Sequence, residues 1–401
     1  MGNEKPFQKK INLLTKESTK MKNVYIVVLL FYITGFPETG FCQTDYSQMT
    51  AEVDAAMTKF VSEKKISGAV TLAIHNGKII HLSSTGMSDI EEGKEMNSDS
   101  LFRIASLSKN FTAAAFMTLQ DAGKVSIYDK VEKYIPEFKG LKLKSDDGKG
   151  DVDIRIWHLM SHTSGIKLLK ASTMPSLKVA AASVRKAPLD FRPGSQWKYS
   201  RGLDAVARII EVASGMPFTA YMAKTITTPL GLKDTGFSLD NEQVKRLVTS
   251  YAKGANKTLV VAKELESWKK KTVLPSGGLL STASDVGTFY AMLLNKGVHN
   301  GKRILSEEAV TQLTTSRTGK LNTVPGCAWG LGYCLIGNPQ GFSASLNAGS
   351  FGHWGAIGPH AWADPVTKTV YVLMIQRRGF GEPRNSDINR EFQEIISKGI
   401  Q

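Results

Sequence analysis

SGAVTLAIHNGKIIHLSS, residues 67–84, is the stretch on which the fold turns. Two strand-like runs flank Asn76 and Gly77. A two-residue type I′ turn needs positive φ at both central positions, which asparagine and glycine tolerate best, so the spacing predicts an antiparallel hairpin. Upstream, Met49, Val53, Met57, Phe60 and Val61 fall on one helical face within residues 46–65. Downstream, residues 111–121 again have helical spacing. Residues 130–275 carry several helices, interrupted by Pro, Gly and Ser at 136, 140, 188, 193–195, 217 and 229–231. Thr282 and Asp285 read as a capping box opening a helix that runs to about Leu294. Strands return over 329–336, 357–363 and 369–376, the last two joined through Asp364 and Pro365, and a final helix begins near Ser386. This order predicts an α+β fold: an antiparallel sheet formed by both chain ends and flanked by helices, with a mainly helical lobe at roughly 111–275. A functional site is expected in the groove between lobes. His75 and His81, either side of the turn, are expected to face solvent.

At 42% apolar and 22% charged residues, the 401-residue chain has the balance of a soluble globular protein, not of a fibre, a disordered chain or a membrane bundle. Residues 24–36, VYIVVLLFYITGF, are an exception, preceded by lysines at 5, 9, 10, 16, 20 and 22. The run is shorter than the ~20 residues that span a bilayer, and it matches a signal-peptide core with a basic flank. Gly40 and Cys42 would stand at −3 and −1 of a cleavage site; Met21 would make a more usual start. The expectation is a leader over 1–42, a hydrolase domain over 43–401, export to the periplasm or medium, and no stable membrane span once the leader is removed.

Net charge is +15, of which the leader carries +3. The remaining basic residues are scattered, with short clusters such as Lys269, Lys270 and Lys271. No zinc-finger spacing, basic-region helix or aromatic RNA-binding motif accompanies them, so a solvated basic surface is expected and no nucleic-acid partner. The residues between Cys327 and Cys334 read as strand. Fully extended, they would hold the two Cα atoms about 23 Å apart, beyond disulfide reach. Buried thiols are therefore expected, unless a turn folds the segment back.

FRIASLSKNFTAA, residues 102–114, carries the chemistry. Ser106 and Lys109 fall on one helical face. A serine hydroxyl needs a neighbouring base to become a nucleophile, and burial favours the neutral amine that can serve as one. The helix start also offers free N–H groups to a developing oxyanion. Alone the pattern is weak, since Ser62, Ser183, Ser195 and Ser267 also have a lysine three residues on. Two further segments add to it. Residues 193–202, PGSQWKYSRG, place Tyr199 in a turn leading to a helix, and residues 352–356, GHWGA, read as a glycine-flanked strand edge. His158 and His162 have the spacing of zinc ligands but lack the glutamate of a metalloprotease helix, so a structural role is expected and no metal site. No Gly-x-Ser-x-Gly elbow is present, which argues against an α/β-hydrolase.

Taken in order, these blocks resemble the serine β-lactamase-like family, which holds the class C β-lactamases, penicillin-binding-protein-like carboxypeptidases and related esterases. Residues 102–113 match its Ser-x-x-Lys block, 157–165 (WHLMSHTSG) its LLSHTSG stretch and 193–202 its tyrosine block. Residues 276–282 (SGGLLST) match its GGL-ST turn and 351–358 its His-x-Gly strand. The resemblance implies a β-lactamase/transpeptidase-like fold and an acyl-enzyme on Ser106. Lys109 would take the proton, and Tyr199 would relay it and activate the deacylating water. The N–H groups of Ser106 and Ala356 would form the oxyanion hole, with His353, Trp354 and Gly355 on the substrate-binding edge. No cofactor is implied. Where the family usually reads Tyr-x-Asn, this chain has Tyr199, Ser200 and Arg201. Arginine has no acceptor, so it cannot copy both halves of the asparagine's amide contact. It could instead pair with a carboxylate or phosphate, or with Asp204 on the next turn. The implied function is hydrolysis of a small ester, amide or peptide, with esters favoured. A β-lactamase or D-Ala-D-Ala carboxypeptidase is the alternative, and a non-catalytic envelope binding protein a second one.

Overall fold

The computed structural model describes residues 45–145, 152–167, 171–255, 258–262, 273–379 and 386–401. The leader expected over 1–42, Cys42 and the Lys269 to Lys271 cluster lie outside the described residues. Residues 45–401 group as one contact unit.

Helix α1, Ser47–Ser62, buries the predicted stripe of Met49, Val53, Met57 and Phe60. The hairpin follows as β1, Gly68–His75, and β2, Lys78–Asp89. Its turn has φ of +49° at Asn76 and +77° at Gly77, the geometry that selects those two residues. A short β3, Lys94–Glu95, pairs with β2. The C-terminal part supplies β4, Cys327–Trp329, β5, Cys334–Ile336, β6, Phe351–Trp354, β7, His360–Asp364, and β8, Thr369–Met374. All eight join one sheet in the order β4-β5-β6-β7-β8-β1-β2-β3. The two chain ends meet at its middle, where β1 pairs antiparallel with β8, Val70 opposite Met374 and Ile74 opposite Val370.

Successive strand residues point to opposite faces, and here both faces are covered. Val70, Leu72, Ile74, Val370, Val372 and Met374 enter one apolar cluster. It is shared with helices α2, Ser108–Asp121, α3, Gly202–Ser214, and α4, Ala283–Leu294. Ala69, Ala73, Tyr371 and Leu373 enter a second cluster with α1 and α5, Asp387–Gly399. A sheet buried on both sides reads as a nearly continuous apolar run, which is why alternation is weak in these strands.

Several expectations change. Residues 329–336 are not one strand. The chain reverses between β4 and β5, so Cys327 stands opposite Ile336 and Cys334 opposite Trp329, and the two cysteines are not cross-strand partners. Residues 357–359 form the β6–β7 turn rather than the start of a strand. Within the mainly helical lobe, Tyr251–Lys253 and Leu259–Val261 form a small sheet with Arg377–Arg378. Thr282 does cap α4 through Asp285 N. The Asp285 carboxylate, however, reaches across to Asp234 N and Thr235 Oγ1, both at 2.9 Å. His81 is buried rather than solvent-facing, with Thr71 Oγ1 2.8 Å from its Nε2.

Candidate active site

The nucleophile candidate sits in a strained turn. Ala105 has φ of +47°, a left-handed conformation that a residue with a Cβ adopts at a cost of about 1–3 kcal/mol. Two bonds over-determine it: Ser108 Oγ donates to Ala105 O at 2.6 Å and accepts from Leu279 N at 3.0 Å. Ile104 N in turn donates to Leu279 O at 3.0 Å. The SGGLLST segment is thus sewn onto the turn that presents Ser106 at the head of α2.

Lys109 lies one turn further along and is almost fully buried. Its Nζ is 3.1 Å from Ser106 Oγ and donates to Ser276 O at 2.7 Å. In the neutral amine, one N–H keeps the Ser276 carbonyl and the lone pair is free to accept the Ser106 proton. The same nitrogen stands 4.8 Å from the Tyr199 ring centroid. On the sheet side, β6 runs past the turn so closely that a Cβ on Gly355 would lie 2.9 Å from Ile104 O and 3.2 Å from Ala105 Cβ. Only glycine permits that approach, and it brings the next residue, Ala356, to the cleft beside Ser106. Neither Ser106 N nor Ala356 N has a backbone hydrogen-bond partner among the described residues.

The tyrosine loop is held by the HTSG block. His162 O accepts from Lys198 N at 2.9 Å and Thr163 O from Gly194 N at 2.8 Å, while Ser200 N donates to His162 Nδ1 at 3.1 Å. The His162 ring lies 4.4 Å from that of Tyr199. On the other side, Tyr199 OH is 3.3 Å from His353 Nε2. His353 Nδ1 contacts Trp354 O at 2.7 Å and Trp354 N at 2.8 Å. With the proton on Nδ1, Nε2 accepts from the phenol; with it on Nε2, Nε2 donates. Either tautomer ties the tyrosine hydroxyl to the sheet. Trp329 packs edge-on against His162 at 5.0 Å and His353 at 5.3 Å, closing this aromatic group from below.

Burial holds both imidazoles neutral: His353 is pushed down to about 3 and His162 falls well below its ordinary value. The sign follows. Unfolded, each histidine binds a proton below pH ~6.5. Folded His353 binds none until about pH 3, so its contribution to stability falls as pH drops from ~6.5 towards that value. One such group costs about 1.4 kcal/mol per pH unit. Between pH 6 and 4 the wild-type unfolding free energy should therefore fall more steeply than that of His353→Gln, by roughly 1 kcal/mol per unit. Urea titrations at three pH values check this, and equal slopes would contradict it.

Ser106, Lys109, Tyr199, Arg201, Ser276 and Ala356 all line one cleft of about 490 Å³. The residues expected on the substrate-binding edge lie behind the cleft wall. His353 is fully buried behind Tyr199, Trp354 packs on Trp329, Phe342 and Trp362, and Gly355 serves close packing; none of the three lines the cleft. The sequence reading missed Asp204. Rather than pairing with Arg201, it is buried on α3, and its Oδ1 accepts from Ser276 N at 2.9 Å. Desolvation raises its carboxyl above the usual range, opposed by the bonds from Ser276. It thereby positions the segment whose carbonyl holds Lys109. Its place in Tyr-Ser-Arg-Gly-Leu-Asp, one turn into a helix, was the available signal. His158 accepts from Arg155 N at 2.9 Å through Nδ1 and caps the short Ile156–Met160 helix.

The family model described as Beta-lactamase matches residues 53–394. Among curated proteins, Esterase EstB of Burkholderia gladioli is 26% identical over 374 residues, covering 84% of this chain and 92% of the relative. Among solved structures, EstCE1, described as a hydrolase with promiscuous acyltransferase activity, superposes with a TM-score of 0.74 at 21% identity, over 87% of this chain and 99% of its own. An octameric penicillin-binding protein homologue from Pyrococcus abyssi gives 0.68 at 23% identity, over 85% and 75%.

Proposed function

Because the chain belongs to the β-lactamase family, a fold family of serine hydrolases, we propose that it cleaves small esters through an acyl-enzyme on Ser106. The observation that carries this reading is the buried Lys109 amine 3.1 Å from Ser106 Oγ, at the floor of an open cleft. In the proposed reaction Ser106 Oγ attacks the ester carbonyl as its proton passes to Lys109 Nζ. The negative charge that develops on the carbonyl oxygen is met by the N–H groups of Ser106 and Ala356. The C–O bond then breaks, the alcohol leaves with a proton returned from the Lys109–Tyr199 pair, and the acyl group stays on Ser106. A water attacks that ester next, giving its proton to the same pair, which returns a proton to Ser106 Oγ as the acyl–Oγ bond breaks and the acid is released. Tyr199, its hydroxyl anchored by His353, is the relay in both steps.

The similarity to Esterase EstB supports esters as the preferred class. So does Arg201 at the usual asparagine position, because it cannot mimic the amide contact of the lactamases. The apolar run at 24–36, with the lysines before it, supports export, with a leader over 1–42. No described helix is long and apolar enough to cross a membrane.

Intact-mass analysis after incubation with a fluorophosphonate, p-nitrophenyl butyrate or a penicillin, beside a Ser106→Ala control, tests the reading. The expected result is one phosphonate adduct and ester turnover, both lost in the control, with no lasting penicillin adduct. A slow penicillin adduct would move the protein to the penicillin-binding branch. Absence of any Ser106-dependent modification would leave a binding protein.

A further inference from the structure

The wall of the cleft contributed by the helical lobe is basic. Lys167, Lys198 and Arg201 line it, and Asp190 is the single acidic residue among the cleft-lining residues. Asp190 is already committed: Lys167 Nζ lies 2.7 Å from its Oδ1 and Lys198 Nζ 2.6 Å from its Oδ2. Each carboxylate oxygen therefore faces a lysine. Asp204, which interacts with Arg201 through its charge, directs its Oδ1 inward to Ser276 N. Arg201 is exposed, follows Tyr199 by two residues, and has no side-chain hydrogen bond or ion pair among the described residues. Three cations against one cleft-lining carboxylate leave this wall net positive, with the buried Asp204 a Coulombic neighbour of the guanidinium.

Building on the hydrolase reading above, we propose that this wall selects substrates bearing a carboxylate, with Arg201 as the direct partner and Lys167, Lys198 and Asp190 setting the field around it. A guanidinium presents paired N–H donors that match a carboxylate's two oxygens. The lysine–aspartate clasp keeps both ammonium groups near the cleft while lowering their combined charge. The carboxylate could belong to the acyl part or to the alcohol part of the ester, and the two are separable by experiment.

Mono-4-nitrophenyl adipate against its methyl ester places the acid on the acyl side. 4-Acetoxybenzoic acid against its methyl ester places it on the alcohol side. The quantity read is the ratio of kcat/KM for acid over methyl ester, compared between wild type and variants on the same pair, so that intrinsic reactivity cancels. Arg201→Gln is expected to lower the ratio about tenfold in one arm, the size of one charge-assisted contact at a half-open site. Arg201→Lys should fall between. Asp190→Asn, which frees both lysines, should raise the ratio a few-fold. The wild-type preference should shrink between low and high salt, since exposed charges are screened, a response that a purely structural arginine would not give. A ratio unchanged within about twofold by Arg201→Gln in both arms would overturn the proposal. Hydrolysis of the neutral methyl esters by wild type but not by Ser106→Ala keeps that failure separate from failure of the hydrolase reading. If wild type hydrolyses none of the four, both fall.

Discussion

Lys109→Met is expected to lower kcat on p-nitrophenyl butyrate by about 10³-fold, within the range that loss of a positioned general base produces. Methionine fills much of the lysine's volume and removes a buried amine, so the fold should persist. The cost is the Ser276 carbonyl, which loses its 2.7 Å donor and with it about 1–3 kcal/mol. Fluorophosphonate labelling of Ser106 should slow in parallel, because that reaction also needs the deprotonated hydroxyl. Steady-state kinetics with a urea titration of the same preparation separates lost chemistry from lost structure. A variant that keeps more than about a tenth of the rate would remove Lys109 from the role of base.

Trp329→Ala should be the most damaging core substitution near the site, destabilising by about 3–5 kcal/mol. The ring is completely buried at the end of β4, and it touches Trp197, Tyr199, His162, His353 and Trp354. Removing it opens a cavity beneath the two imidazoles that clamp Tyr199, so activity should fall even under conditions where the variant is folded. Trp329→Phe, which refills part of the space, should recover a good share of both. Equilibrium urea unfolding measures the first effect and kcat on the neutral ester the second. A cost below about 1 kcal/mol would mean that the surrounding rings collapse onto the gap, and that this cluster is not what holds Tyr199.

The parts of the site that act locally were legible. Ser106 and Lys109 are three residues apart, across the 3-10 turn Ala105–Leu107 and the start of α2, so their meeting needs only local helical geometry. Tyr199 and Ala356 were placed by their blocks in a resemblance, and the cleft brings both to Ser106. What escaped were roles that depend on partners far along the chain. Asp204 matters because its carboxylate meets Ser276, 72 positions later, and its place near a helix start does not name that partner. His162 looked like packing and is packing, but of a particular kind: a buried ring with φ of +62° that fixes the tyrosine loop through its backbone oxygen and Nδ1. The resemblance places Trp354 and Gly355 on the substrate-binding edge through the His-x-Gly block at 351–358. Alternation along β6 and the tight approach to Ile104 turned them to other work.

By itself, then, the sequence determined the hairpin, the amphipathic α1, the helix bearing Ser106 and Lys109, and the strand–helix–strand order that makes an antiparallel sheet from both chain ends. Each follows from the period of apolar residues or from the turn chemistry of neighbours, forces that act within about a dozen positions. Only the tertiary structure decided that residues 327–336 reverse as a hairpin, that Asp190 is held by two lysines, and that Arg201 lines the cleft with no side-chain hydrogen bond or ion pair among the described residues. Those outcomes depend on which charges and rings arrive together from distant segments. Burial and pairing are properties of that meeting, and no single stretch of the chain contains them.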